Sequence, residues 1–549
     1  MLNSNTQKAI INTEKRRVCN ISFYFCATKL LQISIIDEVN ELFFLIYSYF
    51  LRLIVEMKTA ETEKLIPKEV FECFYRINKI PRPSKREERM IAFLMQFGES
   101  LGLQTYKDDT GNVLIKKPAS PGYEDLETLV LQSHMDMVCE KNRDVDFDFD
   151  NDAIQTYVEG DWLKAKGTTL GADDGIGVAI EMAILQSTTI EHGPIECLFT
   201  CDEETGLTGA LGLEKGFING KYLINLDSED EGQIFVSCAG GARTTAEFSF
   251  KEEVLSSDFY VFKVTVKGLT GGHSGDDINK KRANANKILA RYLYRLLNET
   301  ENETDLQLID IQSGGLHNAI PREGYVIAAV PAADKEKVRI ALNILEAEVE
   351  EEYTQTEKNF QLLLESVPND YRSCIEKSVS EKLIRSLMAV FNGIEAMSQD
   401  LDWLVETSSN LASVHKENDK IVINTSQRSS LNSKREYMSA VVRSVFELAG
   451  ACTVTNEGYP GWKMNPDSVL LRLTKESYTR LFNKEPKILA IHAGLECGLF
   501  SEKYPQLDMV SFGPTLRGVH SPDEKLLIPT VEMVWRHLLD IMKRIPKKQ

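Results

Sequence analysis

Disulfide chemistry is missing from this chain. Ten cysteines are scattered over 549 residues, and none stands in a CxxC pair. A disulfide framework is thereby excluded and a reducing compartment fits. Cys197 and Cys201 read as small buried residues at a predicted strand end rather than as ligands. Positive charge is also short: 63 Lys and Arg face 82 Asp and Glu, a formal net charge of -19. So acidic a surface argues against nucleic acid as a partner and fits a cytoplasmic protein. No apolar run is long enough to span a bilayer. Leu42–Val55 falls short of the ~20 residues needed, Arg52 interrupts it, and no small-residue cleavage site follows. There is no GxSxG nucleophile elbow, no Walker-type phosphate loop and no low-complexity tract.

What is present is a large globular chain, 43% hydrophobic and 26% charged, long enough for two or three domains. Residues 1–56 differ from the rest and read as an upstream extension, with Met57 as the functional start and a membrane anchor as the alternative reading. From 57 to 240, amphipathic helices such as KREERMIAFLMQFGESLG alternate with strands such as ETLVLQ and KYLINL. That alternation predicts an α/β domain with a mostly parallel central sheet flanked by helices. Residues 241–459 change to alternating strands and helices of α+β type, predicting an inserted second domain; two similar halves within it remain open. Residues 460–549 resume the first pattern.

Ligands in open α/β sheets gather at the carboxyl ends of strands. Three acidic or histidine-bearing motifs fall at such positions, His134-Met-Asp136, Glu203-Glu204 in CDEETG and Asp227 after YLINL, and a fourth, Asp173-Asp174 in GADDG, lies among glycines at a predicted helix N-terminus. If the strand continues through His134 and Asp136, their side chains share a face, and the carboxylate can orient the imidazole. Asp174 reads as the cap of the following helix. Adjacent Glu203 and Glu204 point apart, so one can hold a metal while the other moves a proton. Each motif alone has a plain reading as a solvated turn or cap, but their order within about a hundred residues points to a metal site. For a further histidine ligand, chemistry alone leaves His492 and His520 equal.

Together SHMDMV, GTTLGADDGIG, TCDEETG, INLDSEDEG, GGHSGDDI, GGLHNAIPRE, HAGLECGLF and GPTLRGVHSPDE resemble the aminoacyl-histidine dipeptidases, carnosinase-type members of the dinuclear-zinc carboxypeptidase/aminoacylase superfamily. The resemblance runs from about Pro67 to the C-terminus. It implies a zinc-peptidase catalytic domain (57–240 and 460–549) interrupted by an α+β lid (241–459). The implied metal ligands are His134, Asp173, Glu204, Asp227 and His520, with Asp173 bridging two Zn2+ ions; manganese or cobalt is also compatible with the donors. The implied catalytic groups are Asp136 beside His134, Glu203 as general base and His273 as oxyanion stabiliser. Asn318 and Arg428 are the implied substrate contacts. The expected reaction is hydrolysis of a dipeptide, Xaa-His or carnosine, in the cytoplasm, by a monomer or homodimer with no membrane partner. A related aminopeptidase or N-acyl amino acid deacylase, or a non-catalytic metal-binding protein, are the competing readings.

Overall fold

The computed structural model describes residues 65–298, 304–368, 370–399 and 401–548. The 1–56 extension and its membrane-anchor alternative lie outside them. The chain divides into two compact units, Met1–Lys68 and Glu69–Gln549, and both main sheets belong to the second. No helix among the described residues is long and apolar enough to cross a membrane.

Six strands open the first sheet: β1 (Gln104–Lys107), β2 (Val113–Lys117), β3 (Leu129–His134), β4 (Ile195–Thr200), β5 (Tyr222–Asn225) and β6 (Gln233–Cys238). Its central strands β3, β4 and β5 are buried along their whole length, as expected for parallel strands covered on both faces. Helix α1 (Lys68–Ile77) turns Val70, Phe71, Phe74 and Ile77 inward at helical spacing. Helix α2 (Glu88–Ser100) buries Met90, Leu94 and Phe97. Helix α3 (Gly175–Gln186) is buried on all sides, which its nearly unbroken apolar sequence allows. Asp174 caps it, accepting the Gly177 N–H at 3.2 Å.

The chain then enters a second sheet through β7 (Gly240–Ser249). It continues as β8 (Phe259–Lys267), α4 (Ala285–Asn298), β9 (Gln307–Gly314), β10 (Gly324–Pro331), α5 (Lys335–Glu352) and β11 (Gln361–Ser366). It closes with α6 (Lys377–Ala389), β12 (Val405–Glu417), β13 (Lys420–Ser429), α7 (Asn432–Leu448) and β14 (Cys452–Thr455). The strand order is β11-β8-β10-β9-β12-β13-β7-β14. Two units of the form βαββαβ are visible in that order. In the first, β8-α4-β9-β10-α5-β11, the strands lie in the sequence fourth, first, third, second. The second, β7-α6-β12-β13-α7-β14, repeats it in mirror order. The two meet edge to edge at their own second strands, with Gln312 opposite His415 and Ser313 opposite Val414. The whole first unit is inserted between β7 and α6 of the second.

Alternation sorts the faces of this sheet. Phe262, Val264 and Val266 of β8, with Ala246 and Phe248 of β7 and Ile421 and Ile423 of β13, pack under the four helices in one core. On the opposite, helix-free face Val261, Ile309, Ile327 and Ala329 form a smaller apolar cluster in the first unit, while β7 and β13 of the second unit carry Arg243, Ser426 and Arg428 there. Two segments join the sheets, pairing Cys238 with Trp462 and Gly241 with Tyr459. A Cβ on Gly240 would lie 2.4 Å from Gly461 N, so glycine is required where the segments cross. The last strands, β15 (Lys487–Ile491) and β16 (Asp508–Ser511), return to the first sheet, whose order is β1-β2-β4-β3-β5-β16-β6-β15. Pairs β4–β3, β3–β5 and β5–β16 are parallel; β1–β2 and β2–β4 are antiparallel. The sheet is parallel at its centre and mixed at its edge. Helices α8 (Val469–Phe482), α9 (Glu496–Lys503) and α10 (Ile528–Met542) complete the layers.

Candidate active site

The carboxyl ends of β3, β4 and β5 bring His134, Glu203, Glu204 and Asp227 together, and the loop before α3 adds Asp173. Asp173 divides its carboxylate. Its Oδ1 lies 3.2 Å from His134 Nε2, which is also 3.6 Å from Asp227 Oδ1. Its Oδ2 lies 3.2 Å from His520 Nε2, which is also 2.9 Å from Glu204 Oε2. Two imidazole–carboxylate pairs therefore flank one shared carboxylate. His520 holds its place with a left-handed backbone, φ 60°, which is uncommon for a residue with a side chain and is often met at functional sites.

The donor set fits divalent cations. Carboxylates this close repel unless positive charge balances them. The two histidines meet that demand: hydrogen bonds to Asp173 and Glu204 push His520 up to about 11. Although burial opposes it, the neighbouring carboxylates also raise His134 well above the usual imidazole range. Divalent cations between the same atoms would supply the positive charge instead, and neutral imidazole with carboxylate is the ligand mixture zinc takes. Glu204 Oε1 adds a buried oxygen with no hydrogen-bond partner among the described residues. Burial pushes the carboxyl of Glu203 well above its ordinary range.

Asp136 reaches His134 from the loop, not from the strand. Strand β3 ends at His134, yet Asp136 Oδ1 lies 3.4 Å from its Nδ1. The same carboxylate accepts the N–H groups of Glu203 (3.1 Å) and Glu204 (3.3 Å) and the Ser84 hydroxyl (2.7 Å). Glu87, Asp136 and Asp202 form a second acidic cluster, but its oxygens are engaged. Glu87 accepts the Asp202 N–H at 3.0 Å, and Asp202 accepts the hydroxyls of Thr205 and Thr208. That cluster braces the turn carrying Glu203 and Glu204.

Two braces escaped the sequence reading. Glu524, four residues after His520, accepts the N–H groups of Leu170 (2.7 Å), Gly171 (3.0 Å), Ala172 (2.7 Å) and Asp173 (3.3 Å). Arg82, 1% exposed, donates to the carbonyls of Asp136 (2.9 Å) and Gly171 (2.5 Å). Burial lowers its pKa, and Glu524 is the largest of the negative charges that oppose the shift. The acidic residue closing GVHSPDE and the arginine in IPRPS were the available signals, since buried charges are kept only where partnered.

His273, Asn318 and Arg428 form a second group on the helix-free face of the second sheet. Arg428 donates to Tyr459 Oη at 3.1 Å and stands 3.5 Å from His273 Nε2. His273 Nδ1 accepts the Asp276 N–H at 3.2 Å. The Asn318 carbonyl accepts the Ser274 N–H at 2.7 Å. His492 belongs here and not with the acidic cluster, because its Nε2 lies 2.7 Å from the Ser408 hydroxyl.

Paired imidazole–carboxylate sets at strand ends, accompanied by a cationic face on an inserted sheet, define a hydrolase of the metallopeptidase class. The chain belongs to Peptidase family M20/M25/M40, whose sequence profile matches residues 130–544. It is 42% identical over 489 residues to the cytosol non-specific dipeptidase of Escherichia coli (strain K12), covering 89% of this chain and all of that one. The solved structure of aminoacylhistidine dipeptidase from Vibrio alginolyticus is 41% identical and superposes with a TM-score of 0.83 over 89% of this chain and 99% of that one. Aminopeptidase PepT from Bacillus cereus ATCC 10987, at 18% identity and a TM-score of 0.52 over 88% of this chain and 99% of that one, shares the fold.

Proposed function

We propose that the protein is a cytoplasmic dipeptidase that hydrolyses unblocked dipeptides, Xaa-His dipeptides such as carnosine among them, with two zinc ions. The observation that carries this reading is the division of Asp173 between the His134–Asp227 and His520–Glu204 pairs. Those five residues would hold the metals, with manganese or cobalt as chemically acceptable substitutes. Bound there, the ions would polarise the peptide carbonyl and lower the pKa of water. The names of the Escherichia coli and Vibrio alginolyticus relatives support dipeptides as the substrate class and the cytoplasm as the location. Residues 57–240 with 460–549 then act as the catalytic domain and 241–459 as its lid, in a monomer or homodimer.

Glu203 is the general base. Its carboxylate takes a proton from the attacking water and returns it to the leaving amine, and its burial favours that briefly protonated state. Asp136 orients His134 through Nδ1 and fixes the Glu203–Glu204 turn through two amides. His273 would stabilise the developing oxyanion through its imidazole, which stands beside Arg428. Arg428 pairs with the substrate's C-terminal carboxylate and Asn318 assists.

Metal content should be measured alongside hydrolysis of β-Ala-His, Gly-His, a tripeptide and an N-acyl amino acid. Chelator-sensitive cleavage of the two dipeptides, with the longer and acylated compounds spared, is expected. Cleavage of the N-acyl amino acid alone would replace this reading with a deacylase.

A further inference from the structure

The helix-free face beside Arg428 contains a second arginine to which no role has been given. Arg428 on β13 lies opposite Gly241 on β7 and Ser408 on β12, forming one row. The next row along the same face is Arg243, Ser426 and Asn410, again in direct register across the three strands. Strand β7 begins at the crossing from the catalytic sheet, so the Arg243 row is the one farther from that crossing. Diagonal neighbours of this kind are about 7–8 Å apart, within reach of long side chains.

Three observations mark this row as a built site. Among the described residues, neither Arg243 nor Arg428 has a carboxylate within ion-pair distance, although the chain has a net charge of -19. Ser426 Oγ and Arg428 Nε are buried polar atoms without partners, and both residues are only 6% exposed. Thirdly, Asn410 donates to the Ala319 carbonyl at 2.8 Å, which ties the His317–Asn318 loop to the row. His317 stands in the positive field of Arg243, Arg428 and His273, which adds to its burial in lowering its pKa. A concentration of cations with unfilled hydrogen-bonding capacity selects an anion.

We infer that Arg243 and Ser426 form a subsite for the side chain of the substrate's second residue, and that the subsite favours an acidic side chain there over a basic one. This rests on the dipeptidase reading, in which Arg428 takes the main-chain carboxylate. With the carboxylate on Arg428, the adjoining row is one step along the face, which an aspartyl or glutamyl side chain can span.

The test compares kcat/KM for Gly-Glu and Gly-Lys, which share a backbone and a free carboxylate, so their ratio cancels general losses. Gly-Leu serves as the neutral reference for wild type. An exposed charge contact is worth up to about a fivefold effect on each substrate, in opposite senses, so the Gly-Glu to Gly-Lys ratio should lie between about 2 and about 25 at low salt and shrink as salt rises. Arg243→Glu should bring the ratio to one or below, with circular dichroism unchanged; Arg243→Gln should fall between. A wild-type ratio near one, or a ratio that Arg243→Glu leaves in place, overturns the subsite while Gly-Leu cleavage keeps the dipeptidase reading. Failure of the metal-loaded wild type to cleave any of the three overturns both.

Discussion

Replacing Glu524 tests whether the loop before Asp173 depends on one buried carboxylate. Glu524, 2% exposed, accepts four consecutive main-chain N–H groups and faces the field of the fully buried Arg82. Hydrogen bonds to charged groups contribute about 1.5–3 kcal/mol each. The four bonds are not additive, because the amides share two oxygens, and water entering the space offsets part of the loss. Glu524→Ala should therefore destabilise by roughly 5 kcal/mol. Glu524→Gln keeps the volume and one oxygen but turns an NH2 group toward amides that are themselves donors, so about half that loss is expected. Urea denaturation followed by circular dichroism, with metal content measured on the same samples, reads both effects. Asp173 is the last of the four amides, so metal retention should fall in the same order as stability. Midpoints of both variants within error of wild type would refute the reasoning, as would a glutamine variant less stable than the alanine one.

At the centre of the site, Glu203→Ala should abolish turnover while metal content stays nearly intact, whereas Asp173→Ala should lose metal; full activity in the former sinks the base assignment. His537 on α10 donates from Nε2 to the Thr474 carbonyl at 2.9 Å, and burial pushes its pKa down to about 4. An unfolded histidine near 6.5 binds its proton first, so this group's contribution is intact above pH 6.5 and lost as pH falls toward 4, by up to roughly 3 kcal/mol. His537→Gln should flatten that part of a stability-against-pH curve, and an unaltered slope there would count against it. Lys287 on α4 donates to the carbonyls of Leu387 (2.8 Å), Met388 (3.0 Å) and Val390, closing the end of α6. Lys287→Met should cost about 2–3 kcal/mol in thermal or urea unfolding, since the carbonyls lose a charged donor.

Much of the architecture around the site was legible because it is written locally. Apolar runs ETLVLQ and YLINL became fully buried strands, and the acidic residues placed after them do stand at strand ends. Asp174 caps its helix as its neighbouring glycines suggested. The HxD pair shows where local reasoning stops. Alternation in a strand would set His134 and Asp136 side by side, but β3 ends at His134 and the contact is made by a loop that Ser84 and the amides of Glu203 and Glu204 hold.

By itself, then, the chain determined the element types, the strand-end acidic motifs and the family, since these depend on periodicity and on residues adjacent in sequence. Spacing and chemistry left His492 and His520 equal and the family resemblance pointed to His520; the distances come from the fold, in which His520 meets Asp173 and Glu204 while His492 bonds Ser408. Tertiary structure also revealed the doubled βαββαβ plan of the inserted sheet, hidden because one unit interrupts the other. The braces Arg82 and Glu524 and the Arg243–Ser426 row belong to the same category. Their partners lie tens to hundreds of positions away, and only folding sets the distances on which charge and hydrogen bonding depend.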